Sequence, residues 1–298
     1  MSNHVNHLLA QWLPFKNKHK WVLGFIFKTE GSCYRKAGAM MLFSDAGHQL
    51  GILSGGCLES DIVKKAQRVM TDGVSRTAVY DDEDEEDIAF KLGVGCGGVV
   101  HLALVPVNES NQYLSLDVVS KSLSNGKACE WRCAVDGTLG DCTELEDHSA
   151  KRRKAVLDTV DGKRMLSVLM LPPIHLLVVG GGYDATFMTK LASLQGYLVS
   201  LWDPRPAQAR LEHFPEVNYL IEDPSTEGLR LHMGEHNVQA AVLMSHHREI
   251  DAKALQVLSK QSLTYTAMLG PLHRKQEIMD LAGLGDTNFT QYFASPAG

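Results

Sequence analysis

The chain is predicted to be an α/β protein in which a Rossmann-type doubly wound parallel sheet, from about His175 onward, follows an α+β N-terminal domain. Two observations predict this. From residue 175 short apolar runs alternate regularly with amphipathic stretches, and Gly180-Gly181-Gly182 stands between the first apolar run and the first helix. Apolar strands alternating with helices need a parallel sheet covered on both faces, and right-handed crossovers make that sheet doubly wound.

Taken in order, the second half reads as strands His175–Val179, Tyr197–Trp202, Asn218–Ile221, Ala240–Met244 and Thr264–Leu269. Helices fall between and after them at about Ala185–Leu194, Ala207–His213, Thr226–Met233, Asp251–Ser259 and His273–Leu281. The first ~110 residues have no such βα repeat. They read as strands near Trp21–Thr29, Ala39–Phe43 and Gln49–Leu53, one helix, then strands Arg76–Tyr80 and Val99–Val107. That helix starts at Cys57 or Leu58, carries Leu58, Ile62, Val63, Ala66, Val69 and Met70 on one face, and ends before Gly73. Between the halves come a helix at about Tyr113–Leu123, strands around Ala128–Val135 and Met165–Leu171, and a polar stretch Glu144–Lys163. The polar stretch with Pro172-Pro173 marks the boundary, giving domains 1–172 and 173–298.

Composition sets the class. The 298 residues are 44% hydrophobic and 21% charged, the profile of a soluble globular chain. A net charge of −6 argues against a nucleic-acid surface, which needs clustered cations. The one basic run, Lys151-Arg152-Arg153-Lys154, reads as solvated linker. The N-terminus lacks a secretory pattern and no apolar run reaches ~18 residues, so the expectation is a cytoplasmic protein away from membranes. Six cysteines are too few to staple a scaffold and read as thiols, ligands or reactive groups.

Three glycine-rich segments are the candidate sites. Gly180-Gly181-Gly182-Tyr183-Asp184-Ala185 fits the G-x-G-x-x-A dinucleotide fingerprint. There Gly180 permits the turn, Gly182 lets backbone N–H groups approach a pyrophosphate, and Asp203, about 20 residues on, would take a ribose hydroxyl. Asp184 is out of place, since its charge competes with a phosphate for the positive helix end. His246 and His247, after the fourth strand, would border the same crevice.

In the N-terminal half, Ser54-Gly55-Gly56-Cys57-Leu58-Glu59 joins strand to helix, and a thiol there gains reactivity from the helix end. The loop Gly93-Val94-Gly95-Cys96-Gly97-Gly98 repeats the theme, and so many glycines are entropically costly unless something approaches closely. Cys57 and Cys96 are therefore the candidate reactive thiols, with Gly55, Gly56, Gly95 and Gly97 as a backbone cradle. The acidic run Asp81–Asp87 reads as solvated loop, and Cys129, Cys133 and Cys142 lack zinc-pair spacing and read as structural.

Together these residues resemble the XdhC/CoxI family of accessory proteins for molybdenum hydroxylases such as xanthine dehydrogenase. The matching segments are Thr29-Glu30-Gly31-Ser32 with Arg35 and Gly38, Ser54–Glu59, Gly93–Gly98, the Gly180 turn with Asp203-Pro204-Arg205-Pro206, and Ser245–Asp251. The resemblance implies a non-catalytic chaperone that binds molybdenum cofactor, accompanies its sulfuration by a cysteine desulfurase, and helps insert it into the apo molybdenum hydroxylase. Carried over by position, Cys57 and Cys96 become transient molybdenum contacts. Two positions depart from the family: Cys33-Tyr34-Arg35-Lys36 stands where proline-rich sequence is common, and Tyr183 where a His is common. Relatives also continue past Ala294–Gly298 into a further helical stretch, so either the end is truncated or part of the sheet is covered differently. A homodimer is expected from the open sheet edges. The rival reading is an NAD(P)-dependent oxidoreductase using the glycine turn, with NAD(P) or another nucleotide as ligand and His246 or His247 as proton donor.

Overall fold

In the computed structural model, which describes residues 4–81, 84, 97–145, 155–285, 288–289 and 292–297, two compact units meet in sequence at Pro172 and Pro173. The N-terminal unit is built on a five-stranded antiparallel sheet of β1 (Trp21–Gly31), β2 (Met40–Ser44), β3 (Gln49–Gly51), β4 (Arg76–Asp81) and β5 (Gly98–Val107), in the order β3-β2-β1-β5-β4. Alternation along β1 decides its layering. Trp21, Leu23, Phe25 and Phe27 join a core with Trp131, Leu166 and Val168, while Val22 and Ile26 face the helix Glu59–Asp72 through Ile62, Ala66 and Val69. That helix ends where Gly73 takes a left-handed φ of 72° and its N–H caps Val69, a conformation that costs glycine least.

The Trp131 side of this core belongs to a second antiparallel sheet of β6 (Cys129–Ala134), β7 (Gly140–Glu144), β8 (Ala155–Val160) and β9 (Lys163–Met170), ordered β7-β6-β9-β8. Strands β7 and β8 fall at its edges, where exposed polar residues hide the period-2 pattern, so the stretch read as a polar linker in part carries strand. The helix predicted over Tyr113–Leu123 begins only at Leu116. Residues Gln112 to Ser115 before it are left-handed, and buried Leu114 accepts from the Trp131 indole at 2.8 Å. The helix Val5–Trp12, which completes this core with Leu8, Leu9 and Trp12, was not anticipated from the sequence.

The C-terminal unit is the expected Rossmann-type sheet. Strands β10 (His175–Val179), β11 (Leu198–Trp202), β12 (Tyr219–Leu220), β13 (Ala240–Leu243), β14 (Tyr265–Met268) and β15 (Tyr292–Ala294) are all parallel, in the order β12-β11-β10-β13-β14-β15. The order reverses between β10 and β13, which puts the topological switch point at the carboxyl end of β10. Helices Thr226–Glu235, Arg248–Leu258 and Leu272–Ala282 bury residues in the core on one face of the sheet; Ala185 and Ala192 of helix Tyr183–Leu194 lie in the core on the other. The sixth strand was not predicted. The helix expected at Ala207–His213 is only a 3-10 turn, Leu211–His213, after a segment interrupted by Pro204 and Pro206. Among the described residues no helix is long and apolar enough to cross a membrane.

Candidate functional site

Cys57 stands at the tip of a loop whose base is tied. The Glu59 carboxylate accepts from the Ser54 N–H at 2.9 Å and from its hydroxyl at 2.5 Å, and Ser54 Oγ in turn accepts from the N–H groups of Gly56 and Leu58 at 3.2 Å each. Ser54 is buried by this arrangement; Gly55, Gly56 and Cys57 are exposed. Gly56 has φ +105° and nothing within 4 Å of where a β-carbon would sit, so its backbone is open to approach. Above Gly55 lies the ring of Tyr34, 3.7–3.8 Å from the corresponding point and itself 65% exposed. The helix begins at Glu59 with Leu58 as its N-cap, so Cys57 lies just outside it, and Glu59 and Asp61 place acid in its first turn.

Of the second glycine loop, Gly95 and Cys96 lie outside the described residues. Gly97 is exposed with φ +70°, and nothing lies within 4 Å of where its β-carbon would sit. Gly98 is structural, because a β-carbon there would meet the carbonyls of Ser32 and Glu30 and the Cys33 sulfur at 2.5–2.7 Å. Cys129 and Cys133 are fully buried in the core. The hydrogen bond to Cys142, then burial, pushes the Cys129 thiol up; burial does the same to Cys133. Both stay protonated and unreactive.

In the C-terminal unit the three glycines of the turn have different neighbours. At Gly180, φ +106°, a β-carbon would lie 2.3 Å from Ser245 Cα, so glycine is needed for the ends of β10 and β13 to approach. Gly181 is pressed against the Gln208 carbonyl and donates its N–H to Asp203 Oδ2 at 2.8 Å. Only Gly182 faces space, with His246 Cδ2 nearest at 3.9 Å. It is the N-cap of the helix Tyr183–Leu194 and no side chain caps that end. His246, at a left-handed φ of 57°, reaches Asp184 Oδ2 through Nε2 at 3.1 Å. The open rim of the crevice is thus Gly182, Asp184 and His246.

The ribose-acceptor role expected of Asp203 is corrected by its surroundings. Its side chain is fully buried, Oδ1 accepts from the Arg205 N–H and Nε, and Oδ2 accepts from Gly181 and Arg205 Nη2. Four donors fill the four lone-pair positions of a carboxylate, leaving none for a hydroxyl. Burial alone would push its pKa up, but these bonds hold it below the ordinary aspartate value. The network continues: Arg205 Nη2 donates to the Ser245 carbonyl at 3.1 Å, Ser245 Oγ to Asp251 Oδ1 at 2.6 Å, and Arg274 Nη2 to Asp251 Oδ2 at 2.7 Å. Sequence reading missed this lock. Its signal was present, since Arg205, Ser245, Asp251 and Arg274 all follow strand ends or open helices.

A third cluster lies at the amino ends of the strands. Ser200 Oγ sits 2.7 Å from Nε2 of both His175 and His232, and the His236 ring lies tilted against His232 and Tyr219 with centroids 4.3 and 4.4 Å away. Burial, then the neighbouring histidines, holds His175 at a pKa of about 4; burial, then His236, does the same to His232. Among the described residues no group of three or more His, Cys, Asp or Glu is arranged to hold a metal ion.

Comparison with known proteins follows the same division. The model of the XdhC and CoxI family matches residues 15–81, and that of the XdhC Rossmann domain matches residues 176–298. The chain is 28% identical, over 95% of its length and 88% of the other, to a probable xanthine dehydrogenase subunit from Bacillus subtilis (strain 168). It is 24% identical to the molybdenum cofactor insertion chaperone PaoD of Escherichia coli (strain K12), over 69% of this chain but only 60% of that one. A crystal structure of a xanthine dehydrogenase from Bacillus halodurans is similar over 100% of this chain and 89% of its own, with a TM-score of 0.78 and 28% identity.

Proposed function

Because the chain belongs to the XdhC and CoxI family, we propose that it is an accessory protein that binds molybdenum cofactor and delivers it to an apo molybdenum hydroxylase of the xanthine dehydrogenase type. Sulfuration of the bound cofactor by a cysteine desulfurase belongs to the same proposal. The name of the Escherichia coli relative, an insertion chaperone, supports it. The observation that carries it is the Cys57 loop: an exposed thiol on a loop pinned at its base by Ser54 and Glu59, flanked by two exposed glycines and an exposed aromatic ring. These residues fit the cargo. A thiolate is a soft ligand for molybdenum, open glycine backbone suits an anionic group, and an aromatic face suits a pterin.

In this reading Cys57, with Cys96, contacts the metal end, and Gly55, Gly56, Gly95 and Gly97 form the cradle. Gly180, Gly182 and His246 belong to the crevice of the C-terminal unit, with Gly182 and His246 on its open rim. The rival oxidoreductase loses its main support there, because Asp203 has no free acceptor and Asp184 puts a carboxylate at the helix start. The test is co-purification from a molybdenum-replete host with the client enzyme co-expressed, followed by oxidation to the fluorescent pterin. Pterin close to one per chain, lowered severalfold by Cys57→Ser, is expected. Its absence from the wild-type protein would overturn the proposal.

A further inference from the structure

A groove of about 490 Å³ opens in the N-terminal unit between the segment Tyr34–Ala39, after β1, and the segment Val168–Leu171, with His4 and Val5 also lining it. Its lining contains two permanent cations, Arg35 and Lys36, and no carboxylate. His4 adds no charge at neutral pH, since burial, then His7, holds its pKa below the ordinary histidine value. The Nε of Arg35 is buried without a hydrogen-bond partner, and among the described residues neither Arg35 nor Lys36 forms an ion pair. Proteins seldom leave a buried donor orphaned, and on a guanidinium the cost is larger. What relieves it is an anion that accepts from the guanidinium fork, and phosphate oxygens match that fork.

The groove is not isolated from the loop already described. Tyr34 lines it, and the same ring lies against Gly55. A ligand lying along the Tyr34 ring would therefore have two cations on one side of it and Gly55 of the Cys57 loop on the other. We propose that Arg35 and Lys36 are the phosphate subsite of this protein, and that they hold the phosphate monoester of the same pterin whose metal end Cys57 contacts. The assignment rests on the cofactor-carrier reading given above. It adds a prediction of its own, that affinity depends on the phosphate through residues remote from the thiol.

The probe is metal-free molybdopterin released anaerobically under reducing conditions, titrated before and after phosphatase treatment against the full chain. The wild type is expected to prefer the phosphorylated form by roughly tenfold or more, the usual scale for losing a charge-assisted contact. The Arg35→Gln, Lys36→Gln double variant is expected to bind both forms as the wild type binds the dephosphorylated one. Lys36→Gln alone, at an exposed position, gives a partial loss without risk to folding, and Cys57→Ser keeps the preference. Inorganic phosphate and AMP are competitors that separate a general phosphate site from a pterin site: weak competition abolished in the double variant supports the assignment, and AMP outcompeting the pterin overturns it. An undiminished phosphate preference in the double variant overturns this inference and leaves the carrier reading standing. Failure of the wild type to bind either pterin overturns both.

Discussion

Asp203 holds Arg205 with both carboxylate oxygens, accepting from Nε at 2.9 Å on Oδ1 and from Nη2 at 2.7 Å on Oδ2. An acid at this place in a Rossmann turn ordinarily meets a ribose, so the pair converts a ligand position into a structural one. Asp203→Asn keeps the shape but turns one acceptor into a donor facing donors. Removing one partner of a buried pair is costly, and the partial exposure of Arg205 discounts that cost to about 2 kcal/mol. Urea denaturation of the C-terminal unit should show the loss as a lower midpoint. An unchanged midpoint would mean that the lock contributes nothing.

The glycines of the turn should separate under substitution. Gly180→Ala forces a β-carbon to 2.3 Å from Ser245 backbone at a φ of +106° and should cost at least about 2 kcal/mol or prevent folding. Gly182→Ala meets only His246 at 3.9 Å from a normal φ of −72° and should change stability by less than about 1 kcal/mol. Thermal melting of the two variants checks this. Equal losses would remove the distinction between a packing glycine and a ligand-facing one.

That contrast also marks what is legible in a sequence. The parallel sheet is legible because its strands are short apolar runs between amphipathic helices, and β10, β11, β13 and β14 lie within a residue of their expected ends. β15 is not, because Tyr292–Ala294 is a three-residue edge strand with no period to read. β7 and β8 are longer but lie at sheet edges, where exposed residues leave no alternation of buried and exposed positions to read. At the site, glycine clustering points to Cys57 and to the Gly180 turn. It does not tell which glycine faces a ligand and which faces backbone. Nor does it place Tyr34 over Gly55, since that contact depends on how the segment after β1 folds back.

The histidine cluster makes the C-terminal unit acid-sensitive. His175 and His232 have folded pKa values of about 4 against an ordinary value of about 6.5 in the unfolded chain. The unfolded state therefore binds more protons between those values. Stability is complete above pH 6.5 and falls as pH drops toward 4, by at most about 1.4 kcal/mol per unit for each residue, less for His232 because solvent screens it. Burial, and then the repulsion a second charged imidazole would meet in the cluster, explains why both resist charging. Urea midpoints at pH 7.5 and pH 5 should differ, and His232→Gln should reduce the difference. Equal midpoints at the two pH values would refute the account.

Helix Tyr183–Leu194 carries the argument for a homodimer. It buries only Ala185, Thr189 and Ala192, while Tyr183, Phe187, Leu191 and Leu194 are each more than half exposed and fall on one face. Ile174 and Tyr197 are exposed as well, and the six present apolar area on the order of 500 Å². That approaches the largest patches a monomer tolerates and most of the ~800 Å² per partner of a standard interface. A second copy is the occupant we propose, because a two-fold contact lays the same stripe against itself and buries both without a separate complementary surface. Phe187→Glu with Leu191→Glu should leave the melting temperature of the protomer nearly unchanged, since neither side chain is in the core, and convert a dimer to a monomer in light scattering. A wild-type protein that is monomeric at tens of micromolar, or a double variant that remains dimeric, would overturn the dimer through this face.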